Sequence, residues 1–230
     1  MKKIFPFAVA LSLALLVAWQ IFAGEKNYYL LITAVLVLSM LPFFVSFEKE
    51  KVTSREITLI ASLTALAVVS RAVFYLAPQV KPIAAVVAVS GVCLGGKRGY
   101  LVGALSMLVS NFLFGQGIWT PFQMVAMGFV GLIFGVVFSK IKVNKISLAL
   151  VGFLSVTVVY GLIVDLSTVL MISGDMNIKS VLSVYLAGAP FNLIFGATTA
   201  VFLFLFGEVF IKKIDRINIK YGICTNEVSL

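Results

Sequence analysis

The chain has 230 residues, of which 61% are hydrophobic and 12% charged, too few polar side chains to cover a soluble globule of this length. Its net charge is +9 and it has no histidine, which removes His-based acid-base catalysis, Ser-His or Cys-His nucleophile pairs and His-ligated metals. The basic residues lie in short clusters between apolar runs, a pattern of membrane topology rather than of nucleic-acid binding.

An all-α integral membrane protein is therefore expected. Residues 4–23 and 28–47 are apolar runs close to the ~20 residues that cross a hydrocarbon layer, joined by Gly24, Glu25, Lys26 and Asn27 into a transmembrane hairpin. The first run is too long for a secretory h-region, and Ile21 and Ala23 make a poor cleavage site. The polar segment Glu48–Glu56 divides the chain into an N-terminal hairpin (1–50), a six-helix membrane core (51–215) and a polar tail (216–230). Spans within the core are expected at 57–77, 82–95, 99–114, 120–139, 146–173 and 181–211, with a turn at 96–98. The second and third are short, so tilt or burial within the bundle is required.

Eight spans with both termini inside put fourteen basic residues on the cytoplasmic side: Lys2, Lys3, Lys49, Lys51, Arg55, Lys97, Arg98, Lys140, Lys142, Lys145, Lys212, Lys213, Arg216 and Lys220. Only Lys26, Lys81 and Lys179 fall in outer loops, a strong positive-inside bias.

With that orientation the polar groups at membrane depth gather in the outer half: Arg71, Tyr75, Ser110, Asn111, Thr120, Gln123, Asp165, Thr168, Tyr185 and Asn192. A charge at membrane depth costs about 2.5–3.5 kcal/mol even on insertion scales, so Arg71 and Asp165 must face a partner, each other or a wet cavity. The inner halves carry only Glu208. A conduit needs polar groups through its full thickness, whereas a one-sided pocket does not. The segment from Asn111 to Met124, NFLFGQGIWTPFQM, reads as a binding turn. Gly115 and Gly117 allow a sharp bend, Pro121 opens a helix, Asn111, Gln116, Thr120 and Gln123 bring donors and acceptors, and Trp119 offers a stacking face or an interfacial anchor. Gly91, Gly95, Gly99 and Gly103, like Gly131 and Gly135, recur at intervals of four and suit close helix packing; Ala61 and Ala65 form a similar small pair.

Gly95-Gly96-Lys97-Arg98 lacks the spacing and hydroxyl of a phosphate-binding loop, and no catalytic constellation or thiolate metal site appears. No enzyme activity, cofactor or metal is implied. Six hydrophobic helices over about 53–215, the pair Ala61 and Ala65, and the Asn111–Met124 segment resemble the substrate-binding S component of energy-coupling factor (ECF) vitamin transporters, and the segment looks most like those of the cobalamin type. That resemblance implies a bacterial cell-membrane protein that captures a vitamin at its outer end. It implies as partners a transmembrane coupling subunit, docking at Ala61 and Ala65, and two ABC ATPases, with transport by toppling of the loaded component. The N-terminal hairpin departs from the usual pattern. Arg71, Tyr75, Lys81, Asn111, Gln116, Trp119, Thr120, Gln123, Asp165 and Asn192 are the substrate-binding candidates, Arg71 or Lys81 meeting a phosphate or carboxylate. The alternatives are a stand-alone transporter or channel using an Arg71–Asp165 pair, and a non-transporting membrane scaffold.

Overall fold

The computed structural model describes residues 37, 38, 40, 41, 52–173 and 178–223. Among them lie six helical rods and no strand. They are α1 (Ser54–Val73), α2 (Ile83–Leu94), α3 (Gly96–Phe114), α4 (Thr120–Val137), α5 (Lys145–Leu154, continuing through Ser155–Tyr160 and Gly161–Ser173) and α6 (Ile178–Phe202, continuing through Leu203–Gly207 and Glu208–Tyr221). The expected hairpin lies outside the described residues except for a short helical piece, whose Met40 packs on Tyr100, Leu101, Ala104 and Val125.

The bundle is built around α2. Its 12 residues span only about 18 Å, and every residue from Ile83 to Leu94 except Val86 is buried. A helix that is apolar on all sides belongs in an interior. α3 and α4 reach it by backbone contact. A Cβ on Gly91 would run into the Gly131 carbonyl, one on Gly131 into the Gly99 carbonyl, and one on Gly103 into the carbonyl of Met127. Apart from Gly95, both glycine series thus serve packing inside the chain, as close approach in lipid requires.

Local signals set the helix ends. The Thr53 side chain accepts from the Glu56 amide at 3.3 Å and starts α1. Asn144 and Ser147 form a reciprocal capping box at the start of α5, and Pro121 occupies the first turn of α4. The break between α2 and α3 is the single residue Gly95, at φ +84°, rather than a turn at 96–98. A left-handed residue there lets the chain reverse and restart at once.

Four rods are long and apolar enough to cross a membrane: Ser54–Val73, Thr120–Val137, Lys145–Met171 and Ile178–Tyr221. The last extends ten residues beyond the expected end at 211. Its terminal stretch is amphipathic, burying Ile211, Ile214 and Asn218 while Lys212, Lys213, Arg216 and Lys220 stay exposed. Asn218 Nδ2 donates to the Cys93 carbonyl at 3.2 Å, fastening α6 to the end of α2. Nearby, the Arg98 guanidinium on α3 pairs with the buried carboxylate of Glu56 on α1. This end of the bundle is basic at its rim.

Candidate functional site

At the opposite end, α2 stops short at Ile83, and the loop 74–82 arches over it. The space left is a cavity of about 410 Å³ walled by α1, this loop, α3, α4, α5 and α6. Arg71, Gln79 and Lys81 line one side; Asp165, Thr168 and Asn192 line the other, with Gln123, Met107, Tyr160, Phe191 and Phe195 between. A second, smaller cavity of about 250 Å³, bounded by residues such as Leu63, Phe74, Phe202 and Phe210, is almost wholly apolar. Its one hydroxyl, on Ser70, is already spent on the Ala67 carbonyl.

Arg71 ends α1 and is held by neutral groups. Its Nη1 donates to Ser110 Oγ (2.6 Å) and Asn111 Oδ1 (3.0 Å), and the guanidinium lies 5.0 Å from the Phe114 ring centroid. The buried Asn111 in turn donates through Nδ2 to Thr120 Oγ1 (3.0 Å) and Gln123 Oε1 (2.8 Å). Thr120 Oγ1 donates to Gln116 Oε1 (2.9 Å), and Gln116 Nε2 donates to the Leu108 carbonyl (3.2 Å). Thus Asn111, Thr120 and Gln116 form a relay behind the wall that aims Arg71 and Gln123. Gln123 Nε2 makes no hydrogen bond among the described residues and faces the cavity side of that relay.

Besides Asn111, Gln116 and Thr120 behind the wall, two further candidates lie away from the cavity lining. Tyr75 is 63% exposed and stacks on Phe114, with centroids 5.0 Å apart. The Trp119 ring folds back against Gly117, where an added Cβ would strike it. It is half-exposed at the start of α4 rather than turned to the cavity.

The other wall is an interlock of α5 and α6. Asn192 Nδ2 donates to Asp165 Oδ2 at 2.7 Å, and each side chain sits over a glycine of the other helix. A methyl on Gly188 would come within 2.6 Å of Asp165 Oδ2, and one on Gly161 within 2.7 Å of Asn192 Nδ2. Thr157 and Tyr185 tie the helices further, donating to the carbonyls of Asn192 (3.4 Å) and Leu162 (2.9 Å). No ion pair joins Arg71 to Asp165: each bonds to neutral groups on its own wall.

Sequence reasoning missed Tyr160 and Gln79. Tyr160 closes the π-helical segment Ser155–Tyr160 and packs edge-on against Phe195, with centroids 5.2 Å apart; π turns inside helices often mark functional positions. A phenol deep in an apolar span was the available signal, since such a hydroxyl needs polar company. Gln79 stands at φ +59° between Pro78 and Val80, an uncommon backbone state for a residue with a side chain. Nothing in its local sequence announced it.

A helical membrane bundle with a polar cavity confined to one end is built to hold a small molecule rather than to conduct one. A family model described as ECF-type riboflavin transporter, S component, matches residues 51–212, and the chain belongs to that family. It is accordingly the substrate-binding subunit of a transporter for a vitamin-class molecule, and not an enzyme. No curated protein and no solved structure matches the chain.

Proposed function

We propose that the chain captures its vitamin in the cavity bounded by Arg71, Gln123, Tyr160, Asp165 and Asn192, with that end facing the cell exterior. It then delivers the vitamin through a coupling membrane subunit driven by two ABC ATPases. The observation that carries this reading is the cavity itself: about 410 Å³, polar on two walls, and set at the end remote from the basic rim. Its volume sits low in the range of about 300–1,000 Å³ typical of small-molecule pockets. A ligand of flavin size or smaller suits it better than a corrinoid. The cobalamin-type likeness rested on a segment whose Trp119 and Gln116 lie outside the lining, and the matching family carries riboflavin in its description. Positive-inside counting supports cytoplasmic termini.

Ala61 and Ala65 are exposed on α1 and share a face with Thr58, Ser62 and Val69, a low-relief stripe suited to a second helix. This supports docking of the coupling subunit there. A stand-alone exchanger built on an Arg71–Asp165 pair draws no support from the geometry, because the two are not paired.

The test is uptake of labelled riboflavin by cells that express the chain with a coupling subunit and its ATPases. Asn192→Leu is expected to abolish ligand binding, and Ala61→Leu with Ala65→Leu to abolish uptake while binding persists. Uptake by the chain alone, driven by an ion gradient, would overturn the reading.

A further inference from the structure

Arg71 and Lys81 project into one cavity, and neither forms an ion pair among the described residues. The hydrogen bonds of Arg71 all leave from Nη1, so Nε and Nη2 have no acceptor among the described residues. Lys81, in the loop before α2, makes no hydrogen bond or ion pair among them and is only partly exposed. Burial lowers the pKa of Lys81, and the Arg71 guanidinium is close enough to lower it further. The start of α2, whose Ile83 lines the same cavity, has no side-chain cap, so its end carries further positive sign. Asp165, the one acid among the described residues of the lining, is engaged with Asn192 on the far wall and offsets one cation of the two.

Resting on the capture function above, we propose that the ligand bears an anionic group, a carboxylate or a phosphate, and that this group seats between Arg71 and Lys81. The guanidinium is well prepared for that task. Ser110, Asn111 and Phe114 fix one edge of its plane, leaving its remaining N–H donors for a bidentate contact, while the ammonium supplies a point charge from the loop. The neutral acceptors orient the arginine without cancelling its charge. The free Oδ1 of Asp165 then takes an N–H or O–H donor from the other end of the ligand.

The experiment measures binding to the full-length protein in lipid nanodiscs. The probes are acid and neutral members of matched pairs: riboflavin 5′-phosphate and riboflavin, nicotinate and nicotinamide, pantothenate and pantothenol, biotin and biotinamide. Inorganic phosphate against chloride at equal ionic strength is a further arm. The expected result is that whichever compound binds does so at least ~10-fold more tightly as the acid, and that Arg71→Gln or Lys81→Gln removes roughly 10- to 100-fold of acid affinity. Neutral members should change by less than about threefold, the range of ordinary context effects. Arg71→Lys, which keeps the charge, guards against a folding defect and should retain part of the preference. A neutral member that binds as well as its acid, a preference that survives both glutamine variants, or no response to any acid or to phosphate would each overturn the inference. A neutral vitamin whose binding is lost in Asn192→Leu would do so while leaving the capture function standing. Failure of uptake with the partner subunits, with acid preference intact, would instead remove the transport function alone.

Discussion

Gly188→Ala separates an ordinary helix glycine from one on which the site depends. In a helix interior, replacing Gly with Ala stabilises by up to about 1 kcal/mol. At position 188 the added methyl would lie 2.6, 2.7 and 2.8 Å from Asp165 Oδ2, Oδ1 and Cγ, well inside contact distance. The carboxylate must then swing away and lose the 2.7 Å bond from Asn192. A hydrogen bond to a charged group contributes about 1.5–3 kcal/mol, so after the propensity gain a net loss of about 0.5–2 kcal/mol remains. The assay is reversible unfolding in detergent micelles together with ligand affinity in nanodiscs, comparing the parent, Gly188→Ala, Asp165→Ala and the double variant. In Asp165→Ala the obstruction is gone, so adding Gly188→Ala should now stabilise; the change of sign is the diagnostic. If Gly188→Ala stabilises the parent as much as the Asp165→Ala background, the α5–α6 interlock described above is wrong.

Three further outcomes are expected. Asn111→Leu removes the acceptor for Arg71 and the donors to Thr120 and Gln123; at about 1 kcal/mol for each neutral bond and about 1.5–3 kcal/mol for the charged one, unfolding should show a loss of about 3.5–5 kcal/mol and ligand affinity should fall with it. Gly131→Val pushes α4 off the backbone of Gly99, an overpacking of about 3 kcal/mol or more, and should leave little monodisperse protein on gel filtration. Lys81 has its pKa lowered below the usual 10.5, first by burial and then by Arg71. The unfolded chain therefore binds this proton more tightly, and ligand-free stability should rise as pH climbs from the depressed value toward 10.5. Affinity for an anionic ligand should fall over the same window as the ammonium is lost, with Arg71, Asp165 and Tyr160 the other titratable groups facing the cavity. A titration of affinity against pH in the parent and in Lys81→Arg checks this: the decline should vanish in the variant.

The sidedness of the site was legible in the sequence because polar groups at membrane depth are too costly to scatter. Arg71, Gln123, Asp165 and Asn192 could be placed on one end from charge bias and span order alone, and they do meet at one cavity. What the pattern hid was depth within the wall. Asn111, Gln116 and Thr120 looked equal to Gln123 in a turn rich in amides, yet they face away from the cavity and bond to one another. Trp119 drew notice as an aromatic in a polar turn, but Gly117, two residues earlier, offers it a flat seat. The length of α6 was obscured by its cationic run Lys212–Lys220, which resembles a tail until the burial of Ile211, Ile214 and Asn218 is seen against α2. The π segment before Gly161 leaves no sequence mark, and it ends at Tyr160, which packs on Phe195.

The two polar walls have separate supports, and this bears on how occupancy is sensed. Arg71 is tied through Ser110 and Asn111 to α3 and α4, whereas Asp165 is tied through Asn192 to α6. No hydrogen bond or ion pair between Arg71 or Lys81 and Asp165 or Asn192 spans the gap. A ligand touching both walls would supply the missing polar cross-link, so binding should stiffen together elements whose polar side chains are not bonded to one another in its absence. At a ligand concentration one hundred times Kd, the stabilisation is about 2.7 kcal/mol, enough to slow exchange from the least stable openings by about 100-fold. Amide hydrogen exchange with and without ligand should therefore show protection in the loop 74–82 and in the stretch 184–192 of α6 together. Protection confined to one of these would mean that the ligand rests on a single wall, and the remaining wall would then serve the packing of the bundle rather than recognition.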